Sequence, residues 1–198
     1  MKIYLDNAAT TPLDPEVFEA MRPFLLESFG NPSSTHSHGR EVRAAIESSR
    51  KKIAELLNCT PGEIIFTSGG TEADNALLRS AVETYGVQTL ITSAIEHHAV
   101  LHTLEKIATE KKLPIQYIET DWKGYIDYDQ LAEVLRTSTA PLVSLMQANN
   151  EVGTLLDMDR VAALCDQYHA YFHSDTVQAI GHYRHDLKSL KVHGLTCA

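Results

Sequence analysis

The chain has 198 residues, with 17 Lys plus Arg against 26 Asp plus Glu, a formal net charge of −9. Hydrophobic residues make up 43% and charged residues 22%, the usage of an ordinary globular protein and not of a disordered one. No apolar run approaches the ~20 residues that cross a bilayer, and an acidic balance with scattered basic residues argues against nucleic acid as a direct partner.

In chain order, residues 2–5 read as a short opening strand. Asp14-Pro15-Glu16 starts a helix with proline in its first turn, and Val17, Met21, Phe24 and Leu25 fall on one face. Residues 29–38 form a polar loop rich in Gly, Asn, Pro and Ser. A long helix follows over about 39–57, striped by Val42, Ala45, Ile46, Ile53 and Leu57. After the Thr60-Pro61-Gly62 turn, 63–67 reads as a short apolar strand, broken by Ser68-Gly69-Gly70; a helix then runs from about Thr71 towards Val82. Strands and helices alternate from there: strand 89–92, helix 98–109, strand 114–118, helix 128–135, strand 141–146, helix 159–168, strand 171–174 and a last strand within 192–197. This alternation predicts an α/β fold, a mostly parallel sheet flanked by helices.

Cys59, Cys165 and Cys197 are odd in number and widely spaced, neither a disulfide framework nor a zinc pattern. Reduced thiols and a cytoplasmic location are the simplest reading. Met1-Lys2 leads straight into Ile3-Tyr4-Leu5 with no signal or transit segment.

Four places carry polar chemistry. In Thr67-Ser68-Gly69-Gly70-Thr71-Glu72 a strand ends, two glycines turn the chain and a helix begins. Backbone N–H groups at a helix start beside a Thr hydroxyl make a phosphate cradle; the plainer reading is a turn with Thr71 as N-cap. Neither a P-loop nor a dinucleotide fingerprint fits the spacing. Asp175, with Gln178 three residues on, stands at the C-terminal end of an apolar strand, where open α/β sheets place ligand groups. A carboxylate there holds a heteroaromatic nitrogen protonated, or simply caps a turn. In Glu96-His97-His98-Ala99-Val100-Leu101-His102 the i, i+4 pair His98 and His102 lacks a third metal ligand, so no metal site is expected; His97 is better placed to stack on a planar ligand. Asn149-Asn150-Glu151-Val152-Gly153 follows an apolar strand and offers amide donors to a ligand, or forms an Asx turn.

Taken together, these segments resemble a known family. Tyr4-Leu5-Asp6-Asn7-Ala8-Ala9-Thr10-Thr11-Pro12, Gly30-Asn31-Pro32-Ser33-Ser34, His38-Gly39-Arg40, Thr67 to Asn75, Glu96-His97, Asn149 to Gly153 and Ser174-Asp175-Thr176-Val177-Gln178 are similar to the motifs of cysteine desulfurases of the NifS/IscS type, in the same order. The resemblance covers the whole chain. It implies the large domain of the pyridoxal 5'-phosphate (PLP) dependent transferase fold type I, in the class V aminotransferase group, with PLP as cofactor and L-cysteine as substrate. It implies a phosphate grip at Gly70 and Thr71, a ring stacked on His97 as the catalytic-site histidine, and a pyridinium partner in Asp175. Gln178 and Asn150 would lie around the ring's phenolic oxygen, and Asn7, Ala8 and Asn31 on the substrate side. It also implies a homodimer that leaves sulfur as an enzyme persulfide for acceptor or scaffold proteins of iron–sulfur cluster assembly, or for tRNA thiolation.

The same comparison divides the chain into a substrate-side segment, 1–15, and an incomplete PLP-binding large domain, 16–198, with the small C-terminal domain absent. The family's Ser-x-His-Lys segment, which carries the Schiff-base lysine, would begin just beyond His193-Gly194-Leu195-Thr196-Cys197-Ala198. Lys188 and Lys191 precede the last strand, and none of the three cysteines stands where the nucleophilic one belongs. The chain alone is therefore expected to be inactive, the N-terminal half of a cysteine desulfurase and truncated before the sheet's last strands. A selenocysteine lyase, another class V aminotransferase, or a non-catalytic dimerisation partner are the alternatives.

Overall fold

The structure is a computed structural model and describes residues 2–198. The chain forms two compact units, one ending at Ile65 and the other spanning Phe66–Ala198.

In the first unit, α1 (Pro15–Leu26) begins at the predicted start. Asp14 Oδ1 accepts from the N–H groups of Glu16 and Val17 at 2.7 and 3.4 Å, satisfying two donors that the helix itself cannot pair. The helix α2 (Ser37–Leu57) starts at a His36 cap and stops at Asn58, which adopts the left-handed conformation. Its stripe, Val42, Ala45, Ile46, Ile53 and Leu57, is half-buried. The polar loop before it packs closely on its first turn. A Cβ on Gly39 would lie 2.5 Å from the Ser34 carbonyl oxygen and 2.6 Å from that of Asn31, so the approach requires glycine.

Two expected strands do not form. Residues 2–5 are irregular, with Leu5 87% exposed, and 63–67 is the end of a 3-10 turn (Pro61–Glu63) followed by irregular backbone. An apolar run becomes a strand only when a neighbour completes its hydrogen bonds. Every strand ladder among the described residues joins segments between Thr89 and Thr196, and neither run takes part in one.

The second unit is the predicted α/β layer structure. Its strands are β1 (Thr89–Ser93), β2 (Ile115–Ile118), β3 (Pro141–Ser144), β4 (Tyr171–Asp175) and β5 (Gly194–Thr196). They form one parallel sheet in the order β2-β1-β3-β4-β5. Its helices are α3 (Gly70–Tyr85), α4 (His98–Lys111), α5 (Tyr128–Thr137) and α6 (Met158–Gln167). Side chains alternate across the sheet. Leu90 and Leu142 pack with Leu78, Ala81, Val100, Leu104 and Ile107 of α3 and α4. Ile91, Val143 and Phe172 pack with Leu131, Leu135, Val161 and Cys165 of α5 and α6. Burial on both faces explains why the strands read as continuous apolar runs.

The strand β3 ends at Ser144, two residues before the predicted end. Leu145 N–H still donates to the His173 carbonyl at 3.3 Å, but Met146 N–H turns to the Glu96 carboxyl at 3.0 Å. The strand order reverses between β1 and β3, which places the sheet's switch point there; the carboxyl ends of such strands border a ligand crevice.

Phe172 is completely buried in the second unit. Phe172→Ala should cost about 3–5 kcal/mol, read as a lower denaturant midpoint with an unchanged slope. Trp122, 89% exposed, serves as control: its alanine variant should stay within about 0.5 kcal/mol.

Candidate functional site

The carboxyl ends of the strands gather the polar residues of the second unit. Gly69 is the N-cap of α3, has extended backbone and leaves the helix without a side-chain cap. Thr71 is therefore the second helical residue and does not cap the turn. The first intrahelical bond runs from Ala73 N–H to Gly69 C=O at 3.1 Å. The N–H groups of Gly70, Thr71 and Glu72 have no acceptor within the helix and carry its positive end. Glu72 does not fill the space. It folds back to accept from Ser68 N–H and Oγ, each at 2.6 Å, and the Ser68 hydroxyl and amide hold its carboxyl below the usual range. A Cβ on Gly70 would meet Val177 Cγ2 at 3.2 Å and Thr196 Cγ2 at 3.7 Å. Glycine thus lets the helix start close on the turn after β4 and on the end of β5.

Asp175 closes β4 and is 6% exposed. Its Oδ1 accepts from Val177 N–H at 3.0 Å, the Asx turn of the plainer reading. Burial pushes this carboxyl up and Asp74 adds to the rise, while the Val177 amide, His173 and His97 oppose it. The turn after Asp175 continues the β4–β5 ladder, since Thr176 N–H and Oγ1 both donate to Thr196 C=O at 2.9 and 2.8 Å. Gln178 lies half-buried on that turn.

Three further polar side chains join Asp175 in the interior. Asp74, on α3, is 1% exposed, and its Oδ1 stands 3.3 Å from His173 Nε2, close enough to pair in charge but out of hydrogen-bond alignment. His173 is fully buried on β4, with Nδ1 2.9 Å from Ser144 Oγ and Nε2 3.1 Å from Thr196 Oγ1. Serine, histidine and aspartate stand in the sequence of contacts of a hydrolytic triad. All three are sealed from solvent, so no substrate reaches the serine. Glu96 follows β1, is buried, and accepts at Oε1 from Ser93 Oγ at 2.8 Å and Met146 N–H at 3.0 Å. Burial pushes its carboxyl up to about 8, against those two bonds, with Asp175 and Asp74 adding to the rise.

In the sequence Glu96 and Asp74 stand only inside motifs, and neither they nor His173 are assigned a role there. The signal for Asp74 was present: it shares a helical face with Leu78, Ala81 and Val82, where a charge has no business without a ligand or partner. His173 interrupts an apolar strand in the same way.

His97 caps α4. Its Nδ1 accepts from Ala99 N–H at 3.1 Å, so the proton of the neutral ring sits on Nε2. The ring is exposed. Asn149 is structural: Oδ1 accepts from Glu151 and Val152 N–H at 2.8 and 2.9 Å, and Nδ2 donates to Ile95 C=O at 2.7 Å. Asn150 beside it is half-buried and donates to Glu151 Oε1 at 2.9 Å. The structure therefore brings Gly70, Thr71, His97, Asn150, Asp175 and Gln178 to the carboxyl edge of one sheet. Asn7, Ala8 and Asn31 belong to the other unit and are exposed; Asn31 Oδ1 accepts from Ser33 N–H at 2.9 Å. His98 and His102 stack at 5.0 Å on α4, and among the described residues no three metal-ligating side chains cluster. No helix among them is long and apolar enough to cross a membrane.

Comparison with known proteins gives the family. The model for aminotransferase class-V matches residues 3–196. Cysteine desulfurase IscS of Dictyoglomus turgidum is 49% identical over 187 residues, covering 91% of this chain and 46% of that protein. Putative cysteine desulfurase IscS 1 of Bacillus subtilis is 46% identical, covering 95% and 50%. A solved NifS-like protein superposes with a TM-score of 0.91 at 37% identity, covering 99% of this chain and 55% of that one. A structure of SspA in complex with cysteine gives 0.90 at 30% identity, covering 98% and 56%. The chain spans about half the length of the curated relatives it matches. The likeness bears out the expected α/β architecture of fold type I, and a family match over nearly all residues means that the chain belongs to the aminotransferase class-V family.

Proposed function

We propose that this chain is the PLP-binding portion of a cysteine desulfurase, which removes sulfur from L-cysteine to give L-alanine and an enzyme persulfide. The observation that carries the reading is the pairing of opposite preferences in one crevice: an uncapped helix start at Gly70-Thr71 and the buried acid Asp175, both meeting the turn through Val177. A planar ligand with a phosphate at one end and a protonatable ring nitrogen elsewhere matches that donor set. The names of the curated relatives, and the complex that SspA forms with cysteine, support the substrate.

When bound, PLP supplies an electron sink for breaking bonds at the substrate's carbons. The residues of this chain hold and tune it. Gly70 and Thr71 N–H groups, with the Thr71 hydroxyl, bind the phosphate; the helix dipole favours its charge. Asp175 keeps the ring nitrogen protonated, and that positive partner offsets the burial that now raises its own carboxyl. His97 lays its exposed ring on the cofactor face. Asn150 and Gln178 reach the phenolic oxygen. In this reading residues 1–15, with Asn7 and Ala8, and the later Asn31 serve the substrate side, and 16–198 form the cofactor domain. The working protein is a cytoplasmic homodimer that passes sulfur to partner proteins of iron–sulfur assembly or to tRNA thiolation.

Asp175→Asn should weaken PLP binding on the order of 30-fold, as loss of a charged hydrogen bond worth about 2 kcal/mol implies, measured by absorbance titration. Thr71→Ala should weaken it about fivefold by removing one phosphate donor. The 198-residue chain by itself should release no sulfide from L-cysteine with added PLP above a free-PLP blank; sulfide above that blank would show that the chain needs no further lysine or cysteine.

A further inference from the structure

The switch point between β1 and β3 is crossed by two hydrogen bonds, both donated from the loop after β3 to the loop after β1. Glu96, on the loop after β1, accepts from Met146 N–H on the loop after β3 at 3.0 Å. Asn149, also on the loop after β3, donates to Ile95 C=O on the loop after β1 at 2.7 Å. The residue after Glu96 is His97; the residue after Asn149 is Asn150. We propose that Glu96 is a positioning residue: its buried carboxyl clamps these two loops together and so fixes where His97 and Asn150 stand in the crevice. The inference rests on the PLP reading for its effect on the cofactor, but the clamp itself does not.

The local chemistry suits a neutral clamp. Glu96 Oε1 is saturated by Ser93 Oγ and Met146 N–H, while Oε2 is buried without a hydrogen-bond partner. The charged groups facing it are Asp74 from α3 and Asp175 from β4, both acidic. Tyr125 and Tyr128 share with it a cavity of about 20 Å³, also lined by Ser93, Met146 and Asn149. Among the described residues an ionised Glu96 meets no lysine or arginine there and two like charges oppose it, so ionisation favours opening the loops to water. The folded value of about 8 lies above the ordinary 4.5. The native state keeps a proton that the unfolded chain gives up, and the stabilisation is complete below 4.5 and lost as pH rises to about 8.

The test uses Glu96→Gln and Glu96→Ala in the full-length protein, with amide exchange of the cofactor-free form and PLP affinity read separately. Glu96→Gln keeps an acceptor and cannot ionise. Glu96→Ala should speed exchange in 94–98 and 145–150 on the order of tenfold, with Leu78 and Ala81 of α3 unchanged, and weaken PLP to a similar degree. At pH 7 Glu96→Gln should protect both loops at least as well as wild type and bind PLP within about threefold of it. Between about pH 5 and 8, after correction for intrinsic exchange, the wild type should lose protection in both loops while Glu96→Gln keeps it. If Glu96→Ala does not fold, this last comparison decides alone. Loops as protected in Glu96→Ala as in wild type, or Glu96→Gln as damaging as alanine, or no pH difference between Glu96→Gln and wild type, would overturn the clamp. Wild type that binds no PLP would instead overturn the cofactor reading, and the exchange data would still judge Glu96.

Discussion

Asp74, Glu96 and Asp175 are buried near one another at the carboxyl edge of a parallel sheet, and among the described residues no lysine or arginine pairs with them. Three negative charges in that setting would be prohibitively costly. The fold meets the cost in different ways. Glu96 is pushed far enough up to keep its proton near neutral pH. Asp74 has His173 within 3.3 Å. Asp175, with the Val177 amide, sits where a ligand can supply what is missing. The crevice is thus polarised: its acid side favours a protonated nitrogen, and the free amides at the start of α3 favour an anion. A ligand of one charge type alone satisfies only half of it.

Much of this was legible in the chain, because the motifs are local. A glycine pair between an apolar run and a helical stripe announces a helix start near a close contact, and Gly70 meets Val177 and Thr196 there. A carboxylate at the end of an apolar run announces a strand end facing a crevice, which is where Asp175 stands. What escaped was pairing across long separations. Asp74 and His173 come together only because α3 packs on the sheet beside β4, and nothing in either neighbourhood names the other. The two runs at 2–5 and 63–67 failed for the same reason. Their composition is that of strands, but strand formation belongs to a pair of segments.

The sheet's alternation also explains why so few residues specify the site. Leu90 and Ile91, or Leu142 and Val143, serve opposite helical layers, so the strands themselves are committed to packing. Chemistry is left to the end of β4 at Asp175, the start of α3, and the residues beyond three of the strands. Glu96 and His97 follow β1, Met146 to Asn150 follow β3, and Thr176 to Gln178 follow β4. A slip of one residue in any strand would exchange the two layers and rotate the following turn away from its neighbours.

Cys165 belongs to the packing layer between α6 and the sheet, with no exposure, and its thiol is pushed up to about 12. Burial raises Cys59 and Cys197 as well. At neutral pH the reactive thiolate of Cys165 is about one part in 10⁵. For a protein proposed to move labile sulfur, this is a form of insulation. A spare thiol that attacked a persulfide would divert the cargo into the protein's own interior, and a sulfur atom added there would not fit. Keeping its resident thiols protonated leaves the exchange to whichever cysteine is built for it.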